Sequence, residues 1–128
     1  MKKVAYLVDS LAYIKQEPFQ HQLFEKLKQV CDIFPIELHT IKQQNHILSN
    51  NFDLALSCLK LRTLTANINE LKRFLSGVSL VVYDQDPWEN YRDTSPYKGT
   101  YEMCIKNLNV DFIANTTHWW VQHGIKKG

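Results

Sequence analysis

The segment Val4-Ala5-Tyr6-Leu7-Val8 is a continuous apolar run that stops at Asp9-Ser10. A short run of this kind is typical of a strand covered on both faces, as in a parallel sheet. Comparable runs recur along the chain, at 33–41, 52–59, 78–83 and 110–114. The sequence therefore predicts a parallel sheet of about five strands, with the first strand in a central position.

Apolar residues at helical spacing separate these strands. The clearest pattern repeats every three or four residues, at Leu61, Leu64, Ile68, Leu71 and Leu75. It predicts one long helix, and Gly77 stands where a helix often ends in the left-handed conformation. Weaker patterns predict helices from Pro18, around Tyr101 and over 116–123. The alternation of strand and helix predicts right-handed crossovers and an α/β, Rossmann-like or flavodoxin-like three-layer sandwich.

Proline and polar segments place the connections between these elements. Pro35 lies inside the second apolar run, so we expect it at the start of that strand or at an edge of the sheet. The polar segment 42–51 is expected to be a loop with at most one helical turn. A long polar and aromatic loop is expected over 84–98.

Composition narrows the class of protein. The 128 residues are 45% hydrophobic and 22% charged, with a net charge of +2, which suits one globular domain. Basic residues are scattered, which argues against a nucleic-acid partner, and no apolar run approaches the about 20 residues that span a bilayer. The three cysteines lie in apolar surroundings without a CxxC motif, so reduced thiols and a cytoplasmic location are expected.

The segment 83–93 carries the strongest functional signal. Open α/β sheets bind ligands at the carboxyl ends of their strands, and this segment directly follows the fourth strand. It combines acidic side chains with aromatic rings, which suits a polyhydroxylated ligand, because carboxylates accept hydrogen bonds from hydroxyls and rings stack on sugars. The same positional rule selects the candidate substrate-binding residues Asp9, Ser10, Trp88, Tyr91, Asn115, Thr116 and His118. A surface turn capped by Asp84 or Asp86 is the alternative interpretation.

Several established motifs are absent from the sequence. The five histidines lack the spacing of metal sites, so no metal is expected. No GxGxxG, GxxxxGK[ST] or GxSxG pattern occurs, which argues against a self-contained dinucleotide site, a P-loop or a hydrolase elbow. We therefore expect no cofactor.

Three segments resemble the N-terminal domain of a GT-B-fold glycosyltransferase of the group-1, family 4-like kind: 3–9, 80–88 and 110–117. The resemblance implies a role in polysaccharide biosynthesis, in which a sugar moves from a nucleotide-sugar donor to an acceptor hydroxyl. Asp84 and Asp86 are then the candidates for the catalytic base that such a step can require. Gln85 stands where these enzymes often have a histidine.

The resemblance also implies partners. Such enzymes hold the nucleotide sugar mainly with a second domain, so residues 1–128 are expected to form the acceptor-side half and to be inactive alone. The acceptor would be a glycan or a lipid-linked sugar. A peripheral contact with the inner face of the membrane stays open, because Lys60, Arg62, Lys72 and Arg73 flank one helix and could meet anionic lipid. A solvated helix face explains these charges more simply.

A non-catalytic module is the alternative function. The segment 52–58 resembles the third strand of a response-regulator receiver domain. Cys58 stands where a receiver has its phospho-accepting aspartate, and a thiol cannot replace that carboxylate. An active receiver is therefore excluded, which leaves a small-molecule-binding or degenerate receiver-like regulatory module.

Overall fold

The computed structural model describes residues 1–43 and 52–115. Its strands are β1 (Lys3–Val8), β2 (Asp32–Glu37), β3 (Leu54–Ser57), β4 (Leu80–Asp84) and β5 (Val110–Asn115). They form one sheet in the order β2-β1-β3-β4-β5, and every neighbouring pair is parallel. The predicted five-stranded parallel sheet is confirmed. β1 lies inside the sheet between β2 and β3, while β3 holds the middle place.

Helices lie on both faces of this sheet, which confirms the three-layer α/β sandwich. They are α1 (Ala12–Gln16), α2 (Pro18–Leu27), α3 (Leu38–Gln43), α4 (Leu61–Ala66), α5 (Ile68–Leu75), α6 (Trp88–Tyr91) and α7 (Thr100–Asn107). Side chains of α1 and α2 pack on one face. Side chains of α3, α4, α5 and α7 pack on the other.

Strand β1 explains why its apolar run does not alternate with polar residues. Ala5 and Leu7 enter the core under α4 and α5. Val4, Tyr6 and Val8 enter the core under α2 on the opposite face. Because both faces of an interior strand are covered, each position from 4 to 8 is buried.

The second predicted strand is shorter than the apolar run suggested. It ends at Glu37, and the chain turns directly into α3, which places Ile41 in the core beside α5. β2 forms an edge of the sheet, as Pro35 predicted. The backbone N–H of Asp32 faces β1, bonding to the carbonyl of Lys2 at 2.8 Å. Every second residue faces the same way, so the missing N–H of Pro35 falls on the open edge, where it costs no ladder bond.

The helix predicted over 61–75 is divided at Asn67. The Thr63 carbonyl at the end of α4 accepts both the backbone N–H of Asn67 at 3.0 Å and its side-chain amide at 2.8 Å. Asparagine competes with the backbone in this way, which favours helix ends. The second half, α5, ends at Ser76 and Gly77, both with positive φ, as the glycine predicted.

The remaining expectations differ in outcome. The predicted loop over 84–98 contains the short helix α6. Of the polar segment 42–51, only its first two residues are described, and they continue α3. The predicted helix over 116–123 lies outside the described residues. Among the described helices, none has the length and apolar character needed to cross a membrane.

Candidate functional site

A cavity of about 350 Å³ opens at the carboxyl ends of β3 and β4. Its size is within the range of small-ligand sites. One wall is the loop that enters α4, and the opposite wall is the acidic segment after β4. The lining residues are Cys58, Leu59, Lys60, Leu61, Arg62, Asp84, Gln85, Asp86, Glu89 and Tyr97. Asp84 and Asp86, the two candidate catalytic residues, thus share one cavity.

Asp84 is the last residue of β4 and is only 3% exposed. Its Oδ1 accepts the backbone N–H of Asp86 at 2.9 Å, and its Oδ2 accepts the hydroxyl of Tyr101. Burial raises the pKa of the Asp84 carboxyl, and the nearby charges of Asp86 and Glu89 add to that effect, although the two hydrogen bonds oppose it. Asp84 is therefore a buried carboxylate that organises the turn after β4.

Asp86 differs from Asp84 because its side chain is exposed. Within 1–43 and 52–115, no hydrogen bond or ion pair to its carboxylate is found. Its backbone is held through the Asp84 hydrogen bond, and Pro87 follows it at the entry to α6. A carboxylate on a fixed backbone, beside a cavity, is suited to accept a hydrogen bond from a bound hydroxyl group.

Glu89 belongs to the same wall but is engaged within the protein. One carboxylate oxygen accepts from the guanidinium of Arg92 at 3.0 Å, and the other accepts from the hydroxyl of Ser95 at 3.0 Å. The same Ser95 hydroxyl oxygen accepts the backbone N–H of Tyr97 at 3.0 Å. Glu89 thereby folds the segment after α6 back toward the cavity, which brings Tyr97 into its lining.

Asp9 and Ser10 serve helix ends beside the cavity. The Asp9 carboxylate accepts the backbone N–H of Lys60 at 3.0 Å and also the hydroxyl of Thr63. It therefore caps α4, whose own N-cap residue makes no side-chain cap. The Ser10 hydroxyl accepts the backbone N–H of Ala12 at 3.3 Å, at the start of α1. Neither residue is part of the cavity lining.

The other candidate binding residues are spread around this edge. Trp88 is 47% exposed, with the Arg92 guanidinium 5.9 Å from its ring centre. Tyr91 packs its ring edge-on against Tyr101, at 5.6 Å between centres. Asn115 ends β5 in register with Asp84. Thr116 and His118 lie outside the described residues.

A link across the sheet edge joins α2 to the acidic segment. The Glu17 carboxylate caps α2 by accepting the backbone N–H groups of Phe19 and Gln20, and it also accepts the Gln85 amide at 3.3 Å. Burial works against its charge, but these hydrogen bonds prevail and lower the pKa of Glu17. The Phe19 ring stacks on Tyr83 at 5.2 Å between centres. The rim beside the cavity is thus fixed by both polar and aromatic contacts.

Several residues of the site were not among the predicted ones. Lys60 and Arg62 follow β3 at the carboxyl edge, where the positional rule does point, and they add positive charge to the cavity wall. Tyr97 and Tyr101 carry no comparable signal. Their roles depend on a folded-back loop and on a buried hydroxyl contact between residues 17 positions apart.

No group of three or more side chains suited to hold a metal ion occurs in the part of the chain that the structure describes. Comparisons of the chain with protein-family models, curated proteins and solved structures give no significant match. The function must therefore be argued from the site itself.

Proposed function

We propose that this chain is the acceptor-side domain of a glycosyltransferase, in which the cavity beside Asp86 binds the acceptor sugar. The observation that carries the proposal is the exposed Asp86 carboxylate on a hydrogen-bonded backbone, facing a cavity of about 350 Å³. A hydroxyl group of a bound sugar would donate to this carboxylate. In an inverting reaction the same contact would remove the proton as the hydroxyl attacks the donor sugar.

The other wall residues have complementary roles in this proposal. Tyr97 offers a ring on which the apolar face of a sugar can stack. Lys60 and Arg62 offer donors to ring and hydroxyl oxygens or to a phosphate of the acceptor. Asp84 is too enclosed to meet a substrate hydroxyl freely, so its role is to hold the turn that carries Asp86. The nucleotide-sugar donor would be bound mainly by a second domain.

Saccharide binding by the chain tests the proposal. Amide chemical shifts of isotope-labelled protein are followed while monosaccharides and short glycans are added. We expect shifts confined to 58–62, 84–89 and 97. Asp86→Asn should weaken binding by roughly 10- to 100-fold, because the acceptor of the ligand hydroxyl loses its negative charge.

Asp111→Asn is the matched control, since Asp111 is an exposed aspartate on β5, outside the cavity lining. Equal affinities of the two variants, or saccharides that shift none of these amides, would contradict the proposal. Calorimetric titration with sugar nucleotides is a second test. Because the donor would be held elsewhere, sub-micromolar binding of a sugar nucleotide to this chain alone would also contradict it.

The sheet order favours one other candidate. The order β2-β1-β3-β4-β5 is that of flavodoxin-like folds, which include receiver domains. A non-catalytic regulatory module of this type would bind its ligand at the same edge. Cys58, at the receiver's phospho-acceptor position, is 6% exposed, and burial raises the pKa of its thiol to about 11. Acetyl phosphate with Mg²⁺ therefore should not modify the chain under either function, and the saccharide titration distinguishes them: a regulatory module should show none of the amide shifts that saccharides are expected to cause.

A further inference from the structure

Tyr101 connects the core of the protein to the acidic wall of the cavity. It lies in the first turn of α7 and is 7% exposed. Its hydroxyl donates to Oδ2 of Asp84, whose Oδ1 accepts the backbone N–H of Asp86 at 2.9 Å. A continuous path of hydrogen bonds therefore runs from a buried tyrosine to the backbone of the exposed carboxylate.

A second path fixes Tyr101 against the same segment. The side-chain oxygen of Asn90, in α6, accepts the backbone N–H of Tyr101 at 2.8 Å. The carbonyl of Asn90 accepts the backbone N–H of Gly99 at 3.1 Å. Asn90 is 5% exposed, so these bonds are shielded from water. The start of α7 and the acidic segment consequently behave as one unit, with Tyr101 at their junction.

We propose that Tyr101 is a positioning residue for Asp86: its hydroxyl holds the Asp84 carboxylate in the orientation that fixes the Asp86 backbone at the cavity. This inference rests on the proposed function, in which Asp86 meets the acceptor hydroxyl. Tyr101 acts through Asp84 and does not touch the ligand.

The charges around Asp84 explain why this donor matters. Asp86 faces it from its own segment, Glu89 and Tyr91 from α6, Tyr101 and Cys104 from α7, and Asn115 from β5. Burial and the neighbouring acids raise the pKa of Asp84, whereas the Tyr101 hydroxyl lowers it. Burial and the Asp84 charge raise the pKa of Tyr101, so its hydroxyl stays a donor. Without it, Asp84 would take up a proton at higher pH and would bind the Asp86 N–H less tightly.

The test is an NMR pH titration of the full chain that follows the Asp84 carboxyl carbon and the Asp86 amide. In the wild type both signals should change with one shared midpoint. In Tyr101→Phe both midpoints should move together to higher pH, and hydrogen exchange of the Asp86 amide should become about tenfold faster. Tyr83→Phe is the matched control, since Tyr83 precedes Asp84 but packs on the other face with Phe19.

An Asp86 amide that does not follow Asp84, or midpoints unchanged in Tyr101→Phe, would overturn the inference. If Tyr101→Phe does not fold, Asp84→Asn replaces it: the shared step at the Asp86 amide must vanish, and its persistence refutes the inference. Saccharide titration keeps the two proposals apart. If Asp84 and the Asp86 amide titrate together but no saccharide binds, only the proposed function is refuted. If saccharides bind in a way that depends on Asp86 but the Asp86 amide does not follow Asp84, only the role of Tyr101 is refuted.

Discussion

Replacement of Asp9 by alanine removes both acceptors that hold the first turn of α4. The wild-type carboxylate accepts from the Lys60 backbone and from the Thr63 hydroxyl, and the N-cap position of α4 offers no side-chain acceptor of its own. Loss of a helix cap costs about 0.5–2 kcal/mol, and a hydrogen bond to a charged group contributes about 1.5–3 kcal/mol. Asp9 is only half-buried, so we expect Asp9→Ala to lower the free energy of unfolding by about 2 kcal/mol.

Urea denaturation followed by circular dichroism measures this loss. For a domain of this length, about 2 kcal/mol corresponds to a melting temperature roughly 6–10 °C lower. The denaturant midpoint should fall while the slope stays constant, because the native fold is unchanged. Asp9→Asn should lose less, since its amide oxygen can still accept one of the two bonds.

Asp111→Ala provides the control, because it removes an exposed aspartate. An Asp9→Ala variant within about 0.5 kcal/mol of this control would refute the capping role. If that same variant lost saccharide binding without losing stability, the result would instead support the ligand-binding role that the sequence predicted for Asp9.

Three further predictions follow from other parts of the structure. Asp84→Asn should be at least as stable as the wild type at pH 7 in urea denaturation. The pKa of Asp84 is raised in the folded protein, so the stability of the wild type decreases as the pH rises through that pKa. The asparagine variant cannot ionise and does not show this loss. Gly77→Ala should cost about 1 kcal/mol in thermal unfolding, because the glycine has a φ of 84° although a methyl group would contact nothing within 4 Å. The thiols of Cys58 and Cys104, whose pKa values burial raises to about 11, should resist alkylation at pH 7.5 in the native protein and react only after unfolding, as mass spectrometry of the labelled peptides can show.

The fold could be predicted because strands buried on both faces have runs of consecutive apolar residues in the sequence. In β1, the interior position requires apolar residues at consecutive positions, and the same holds in β3 and β4. The errors arose where a local side chain competes with a regular element. The Asn67 side chain donates to a carbonyl of α4 where the predicted helix is divided. Ile41 would be buried as well in a longer strand as it is in α3. Apolar spacing alone does not distinguish these outcomes.

The sequence indicated the edge of the sheet at which a cavity lies, but not the contacts of its side chains. The positional rule for open sheets points to the segment after β4, and Asp84 and Asp86 of that segment line the cavity. The Tyr101 hydroxyl donates to Asp84. Asp9 instead accepts the Lys60 backbone N–H and the Thr63 hydroxyl at the start of α4. These partners are distant in sequence, so no local pattern contains them.

The carboxylates at this edge differ in what occupies their oxygens. Those of Asp9, Asp84 and Glu89 accept donors from the protein itself, which a structural role explains. In the turn after β4, Asp84 is the carboxylate that accepts a backbone N–H. Among the described residues, the Asp86 carboxylate accepts no hydrogen bond, and its charge raises the pKa of Asp84 beside it. The proposed acceptor site rests on this combination of an exposed carboxylate, a cavity beside it and a backbone held through the buried Asp84.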